Sequence, residues 1–382
     1  MTAASERRRR TLAMFATTLV VLLLIPLLGY VGARAVLDST GGKDGSKGNL
    51  PVVPLPVTPT AAMLGVDADG KLASITVFVL AGGGTGGSIV PVPVTSDIGF
   101  ADDARRSIQQ VYAEDGLDAT LVQLESLLLI SIDVHSVAQQ SDIAGILLPF
   151  QPYQVRLVAP VEAENQDDAI AAGDVVLDSV AASQVLTTAT GSSTSAERYE
   201  NAKAVWQGVA TSVGEGRPLT EPPTGAPADI DALLARLFAG TVRSRGLATA
   251  AFDEVSNPTG LDVIALDDGD VVFVFATIAP GSMSAPKIGP VLRVEAPPGY
   301  DAQVKRTIDR LLYVGGNVIS VDMTAAPQPT TVFYVPDAAD RLRVGIADGI
   351  FGTINFGEPT VRIEGVDVTV VLGTDYLQRP DT

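Results

Sequence analysis

Four consecutive arginines, Arg7 to Arg10, run directly into an unbroken apolar stretch from Thr11 to Ala33. Twenty-three helical residues extend about 34 Å at about 1.5 Å each, enough to cross a hydrocarbon core of about 30 Å with a little tilt. The basic cluster precedes the stretch and only Arg34 follows closely, so the positive-inside bias places the N-terminus in the cytoplasm and the rest outside. The competing reading is a cleavable signal peptide, because Ala33-Arg34-Ala35 has the form of a cleavage site. The apolar length argues against it, since a signal-peptide core is only about 7 to 15 residues long. The expected layout is a cytoplasmic tail over 1–10, a single-pass signal anchor over 11–36 and an extracytoplasmic remainder.

That remainder is acidic. The chain carries a formal net charge of −18 even though its first ten residues hold four arginines. No basic stripe or tail is present, so the electrostatic attraction that dominates nucleic-acid binding is missing, and nucleic acid is excluded as a partner. The absence of cysteine rules out disulfides, thiolate metal sites and cysteine nucleophiles. A single histidine, His135, leaves no basis for a histidine-ligated metal or a histidine-based triad, and neither metal nor cofactor is expected.

Residues 37–60 form a Gly/Ser/Lys-rich and then Pro-rich linker, whose second half should be extended. Over 61–278, strand and helix patterns alternate and predict an α/β sandwich. Asp67-Ala68-Asp69-Gly70 between alternating runs predicts a hairpin, and Gly82 to Gly87 a hairpin tip, since it lacks the Lys-Ser/Thr ending of a phosphate loop. Helices are predicted over 102–112, 119–129, 137–147, 197–213 and 230–238, and strands over 130–135 and 153–158. Leu261 to Leu266 and Val271 to Ala276 predict a closing hairpin. The Pro/Gly-rich segment 279–290 is the best domain boundary. The module over 291–376 has the order β-α-β-β-α-β of a small split βαβ (ferredoxin-like) domain, followed by a tail over 377–382.

That module ends on Gly365-Val366-Asp367-Val368-Thr369-Val370-Val371-Leu372-Gly373-Thr374-Asp375-Tyr376. It resembles the C-terminal domain of LytR-type envelope proteins, although Ala296-Pro297-Pro298-Gly299 replaces that family's Asn-Gly. The region before it resembles the LytR-CpsA-Psr (LCP) fold at Asp67 to Lys71, at Pro93, over Leu121 to Val134, at Ala172-Gly173 and at Leu177-Asp178. Active members of that family move glycopolymers from a polyprenyl-pyrophosphate carrier to peptidoglycan, holding the pyrophosphate with an arginine cluster beside aspartates.

Most of that constellation is missing. Where the family has Ile-Pro-Arg-Asp this chain has Val92-Pro93-Val94-Thr95, and the segment from Val185 to Ser192 contains no arginine. Arg198 matches one family arginine, but Asn201 and Ala202 stand where others follow. The remaining candidates for phosphate or lipid-carrier contacts are Arg156, Arg198 and Asp97, with Arg105 or Arg106 as a further cation. The resemblance therefore implies a non-catalytic, membrane-tethered scaffold or regulator of envelope assembly, partnered by envelope-assembly proteins or a peptidoglycan-linked glycopolymer. The alternatives are a working transferase with rearranged ligands and a polyprenyl-lipid-binding protein. Asp67 reads as a turn residue, Arg243 and Arg245 as a solvated helix end, Trp206 as core, and the aspartates at 253, 262, 267, 268 and 270 as a solvated turn.

Overall fold

The computed structural model describes residues 50–379 apart from 102–103, 163–168, 190, 220–224, 259 and 353. The expected cytoplasmic tail, membrane anchor and first half of the linker lie outside the described residues, as do positions 380–382 of the tail. Among the described residues, no helix is long and apolar enough to cross a membrane. Val52–Thr382 forms one compact unit.

The elements follow in chain order: β1 (Val52–Val53), β2 (Thr60–Val66), β3 (Leu72–Leu80), β4 (Gly87–Val92), β5 (Asp97–Ala101), β6 (Ala104–Ser107), α1 (Ile108–Leu128), β7 (Val134–Ala138) and α2 (Gln140–Leu147). Next come β8 (Tyr153–Leu157), β9 (Gly173–Leu177), α3 (Ser179–Thr187), α4 (Ser195–Val213), α5 (Ile230–Leu237), β10 (Val242–Ser244), β11 (Thr249–Ala251), β12 (Ile264–Leu266) and α6 (Asp268–Ile278). The chain closes with β13 (Val291–Glu295), α7 (Asp301–Tyr313), β14 (Asn317–Asp322), β15 (Val332–Tyr334), α8 (Ala338–Val344), α9 (Asp348–Phe351), β16 (Asn355–Gly357), β17 (Arg362–Ile363), β18 (Val368–Val371) and α10 (Thr374–Leu377).

The central sheet has the order β10-β4-β3-β2-β7. Side chains on a strand alternate between faces, so β2 sends Ala62 and Leu64 to one side and Ala61 and Met63 to the other. β3 divides in the same way, with Ile75, Val77 and Val79 opposite Phe78 and Leu80. On the first face lie α1, through Ile108, Leu124 and Leu128, and α6, through Phe275. On the second face lie α2 to α5, through Ile143, Leu186, Trp206 and Leu237. The sheet is thus covered on both sides, as the near-continuous apolar runs in β2 and β3 require.

Several local expectations are corrected. A β5–β6 hairpin occupies the start of the first predicted helix, because Ser107 and Gln110 form a capping box that begins α1 only at Ile108. The two helices expected there do form, meeting end to end at a kink at Gly116, whose φ of 83° is left-handed and whose backbone is non-helical. The strand expected over 130–135 begins at Val134, where pairing with Ala61 starts. The Asp133 carboxylate is already engaged by the Thr60 backbone N–H at 2.8 Å.

The strand expected over 271–276 is the helix α6. Asp267 caps it by accepting the Asp270 N–H at 2.7 Å, and residues 269–276 are buried throughout. A helix apolar on every side has no amphipathic period to distinguish it from a strand. Its expected partner strand pairs instead with β11.

The C-terminal sheet has the order β14-β13-β18-β15-β16. The expected split βαβ arrangement is not formed. β13 lies directly beside β14 and β18, parallel to both, whereas a split unit would place an antiparallel strand between the two strands joined by α7. The short strand β16 adds a parallel edge beyond β15. One cluster of buried apolar side chains runs from Leu64 and Val77 through Leu128 and Phe275 to Val294, Ile308 and Val370. Helix α6 packs on both α7 and β14.

The Pro-rich stretch before β2 is extended, as its composition predicts, and it is docked. Val52 and Val53 pair with Arg362 and Ile363, and Ser282 Oγ donates to the Thr58 carbonyl at 2.8 Å. The 279–290 segment is similarly held, with Ser131 N–H donating to Ser282 O and Ser284 N–H to Leu129 O, each at 2.8 Å.

Candidate functional site

The candidates for phosphate contacts are best judged by what their charged ends already touch. On β5, Asp97 holds the Arg105 guanidinium at 2.5 Å, with side chains only 10 % and 13 % exposed. Arg105 also donates from Nε to the Ser256 carbonyl at 2.6 Å and lies 3.8 Å from the centre of the Phe252 ring. Arg106 is held by Glu114 at 2.7 Å and Asp115 at 2.9 Å, both on α1. A guanidinium committed in this way has few N–H groups left for a pyrophosphate.

Arg198 stands in the first turn of α4. Thr194 caps that helix, and Glu197 returns a bond to the Thr194 N–H at 2.8 Å. These bonds to Thr194, backbone first, hold the Glu197 carboxyl below the usual carboxylate range. Arg198 donates to the Ser193 carbonyl and, at 2.9 Å, to Ser195 Oγ, which in turn donates to Asp262. The hollow that Arg198 borders with Glu162 and Asn201 has a volume of about 10 Å³. That is room for about one water molecule and not for a phosphate.

Arg156 is elsewhere. It projects from the solvent face of β8, 79 % exposed, and among the described residues meets only Asp174, at 3.8 Å. On the opposite face of that strand Tyr153 and Val155 pack against α4 beside Gly208. Asp97 and Arg198 do approach a common element: Ile264 N–H donates to Thr95 O, two residues before Asp97, while Asp262 accepts from the Ser195 hydroxyl bound by Arg198. The fold thus gathers Asp97, Arg105 and Arg198 loosely around 262–264, already partnered, and leaves Arg156 outside.

Asp67 is used by the turn. Its Oδ1 accepts the N–H groups of Asp69 at 3.0 Å and Lys71 at 2.8 Å, and Gly70 takes a φ of 78°. The glycine tip joins β3 to β4 and is held by Gly86 N–H to Arg236 O and Gly87 N–H to Thr241 O. A Cβ on Gly240 would lie 2.7 Å from the Gly86 nitrogen, so the two backbones meet where no side chain fits. Trp206 is fully buried, edge-on to Phe78 with centroids 5.4 Å apart. His135 sits exposed on β7. Arg243 and Arg245 lie at edge strand β10 and not on a helix end, because residues 242–244 pair with Gly87 to Ile89.

The aspartates around α6 are not one solvated turn. Asp253 accepts the Ser256 N–H, and its bonds to Ser256 lower its pKa. Asp270, by contrast, is buried, accepts the Ala248 N–H at 2.7 Å and pairs with Lys305 of α7. Nothing in the spacing marks Asp270, because its cation lies 35 residues away in another module. Among the described residues, no group of three or more His, Asp or Glu side chains converges to hold a metal.

Two buried phenols complete the inner polar set. Burial pushes Tyr153 up to about 12. Burial raises Tyr199 as well, and its hydroxyl accepts the Leu247 N–H at 2.9 Å. The described sheet leaves little space for a lipid chain. Ala61, Ala62, Leu64, Val77, Phe78, Ile89 and Val90 are inaccessible to solvent from either face. A cleft of about 330 Å³ does open below the sheet, between Pro56 to Pro59, Asp133, Leu233, Ser282 and Glu364. Its charged lining is acidic, which suits a phosphate poorly.

No family model matches the chain, and no curated protein matches it. Solved structures do. "TagT bound to LIIa-WTA" matches at 13 % identity and a TM-score of 0.40, covering 57 % of this chain and 88 % of that one. TagV of B. subtilis matches at 12 % and 0.40, covering 68 % and 98 %. "LytR-CPS2A-psr family protein YwtF (TagT) with bound octaprenyl pyrophosphate lipid" matches at 12 % and 0.38, covering 56 % and 86 %. These structures belong to the family that the sequence motifs resemble.

Proposed function

We propose that this chain is a non-catalytic, LCP-like protein of cell-wall assembly, tethered by its N-terminal apolar span with the folded part outside the membrane. It acts as a scaffold or regulator toward envelope-assembly proteins or a peptidoglycan-linked glycopolymer. The observation that carries this reading is the state of the candidate charges. Asp97 and Arg105 neutralise one another in a nearly closed pair, Arg106 is held by two carboxylates, and Arg198 is bonded to its own helix start. A phosphate clamp needs guanidinium groups presented together to a ligand, and these are distributed among internal partners. The filled faces of the central sheet weigh against binding of a polyprenyl chain in its core.

Incubating the purified chain with a polyprenyl-pyrophosphate-linked glycan and a divalent metal tests it: no glycan transfer or pyrophosphate release is expected. Turnover abolished by Arg198→Ala or Asp97→Ala would replace this reading with a transferase that rearranges its ion pairs on binding. The topology is checked separately. Protease added to intact spheroplasts should digest the region beyond the linker, and a protected C-terminus would refute the extracytoplasmic placement.

A further inference from the structure

Edge strand β10 carries Arg243 and is followed directly by Arg245, two arginines with no side-chain partner among the described residues. Arg243 and Arg245 are two residues apart along an extended chain, so both side chains leave the same side of the strand. With Gln207 and Thr211 of α4 they line a cleft of about 350 Å³, in which no carboxylate takes part. Among the described residues, neither guanidinium has an ion pair or a side-chain hydrogen bond. The Arg245 Nε is buried and unpartnered. The backbone is fixed there, since Arg245 N–H donates to Ile89 O at 2.8 Å and residues 242–244 pair in parallel with β4. Lys203, which lies against Gly246, is neutralised by Glu200 at 2.8 Å and adds no net charge.

This arrangement contrasts with Arg105, Arg106, Arg156 and Arg198, each of which has a side-chain partner. In a chain of net charge −18 a cation usually finds a carboxylate, and Arg105, Arg106 and Arg156 do so. We propose that the Arg243–Arg245 cleft binds a phosphoryl oxyanion. Two planar guanidinium forks on one side of a rigid strand match a tetrahedral group with three or four oxygens, since each fork takes a pair of oxygens and one oxygen can be shared. The buried Arg245 Nε–H then gains the acceptor it lacks, and the Gln207 side-chain amide offers a further donor at the rim. The site lies on the sheet edge beside α4, apart from Asp97, Arg105 and Arg198, and does not depend on whether the chain retains transfer chemistry. The phosphoryl group comes either from free phosphate or from a phosphodiester in a larger ligand.

Isothermal titration of the full chain in detergent, with inorganic phosphate in one arm and glycerophosphoglycerol in the other, tests the proposal. The Arg243→Gln/Arg245→Gln double variant is expected to weaken the tighter of the two ligands about tenfold or more, the size of losing charge-assisted bonds. Lys71→Gln/Arg310→Gln removes the same charge from two exposed residues outside the cleft and should bind as the parent does. Arg243→Lys keeps the charge on an exposed side chain without the fork, so its affinity should fall between parent and double variant. This variant carries the test if the half-buried Arg245 cannot be replaced without unfolding. Tighter binding of the diester assigns the site to a larger ligand, and tighter binding of phosphate to the free ion. Absence of binding in both arms, or equal affinities for the parent, Arg243→Lys and the charge-matched control, overturns the proposal.

Discussion

Lys305 on α7 places its ammonium group on the buried carboxylate of Asp270 on α6, across the segment that the sequence marks as a domain boundary. The same carboxylate accepts the Ala248 N–H at 2.7 Å, so one side chain ties three parts of the chain together.

Asp270→Ala removes the acceptor for both donors. Breaking a fully buried pair costs about 3–5 kcal/mol, but the Lys305 side chain is 38 % exposed, so a loss of about 2–3 kcal/mol is expected. Urea unfolding checks it. A loss below about 0.5 kcal/mol, the scale of a surface substitution, would mean that the pair is solvated.

The packing of α6 on α7 and β14 also sets where the C-terminal module can be cut. A fragment from Val291 to Thr382 keeps its own sheet but bares the faces of α7 and β14 that α6 covers. A fragment starting at Asp267 is expected to melt at a higher temperature and to bind less of a dye that reports exposed apolar surface. Equal melting of the two fragments would show that α6 contributes nothing to this module.

Asp309 gives a pH signature. Asp309 is exposed overall, but partial desolvation raises its pKa, as do the neighbouring Asp267, Asp268 and Asp270, against a backbone bond from Gly269. A carboxyl whose pKa is raised on folding destabilises the fold most above its folded pKa, where it is ionised in both states. The penalty disappears below the unfolded value of about 3.9. Asp309→Asn should therefore stabilise the protein at pH 7 and have no effect near pH 3. Stability measured across that range decides, and a gain that persists at pH 3 would assign the effect to packing.

Arg105→Met leaves the Asp97 carboxylate in a nearly closed site without its cation. A loss of about 3 kcal/mol is expected, with no change in any ligand affinity. Loss of ligand binding at unchanged stability would return Asp97 and Arg105 to the list of contact residues.

Thr194→Ala removes the cap of α4 and should cost about 1 kcal/mol at neutral pH. The Glu197 pKa is lowered by its bonds to Thr194, so the stability it adds is present above the unfolded carboxyl value and is lost as pH falls through the folded one. The difference between parent and variant should shrink on acidification, which a series of denaturation curves can follow.

How far the sequence could be read differs from element to element for physical reasons. The β2–β3 hairpin was legible because Asp67 to Gly70 is a turn that uses only local bonds. Helix α4 was legible through its length, with its start read at Glu197 where the Thr194 cap begins it at Ser195. Helix α6 was not, because a helix buried all round carries no period. The order of the C-terminal strands was not, since pairing partners are chosen by three-dimensional packing and the sequence supplies only the list of strands. At the candidate site, the absence of the family arginines near Val94 and Val185 could be read directly. The partners that occupy Arg105, Arg106 and Arg198 could be seen only once the chain was folded. Arg243 and Arg245 read as a helix end in the sequence because the strand there, Val242–Ser244, is three residues long and has no apolar alternation.

The docked segment ahead of β2 has a mechanical consequence. Tension arriving along the chain from before Val52 meets the two-residue pairing of β1 with β17 and the bond from Glu364 N–H to Val53 O at 2.9 Å. Behind these stands the Thr58 contact with Ser282. Force is therefore delivered first to the contact between β1 and β17, a short parallel ladder near the C-terminus. The central sheet, entered only at Thr60, carries load after that ladder has parted.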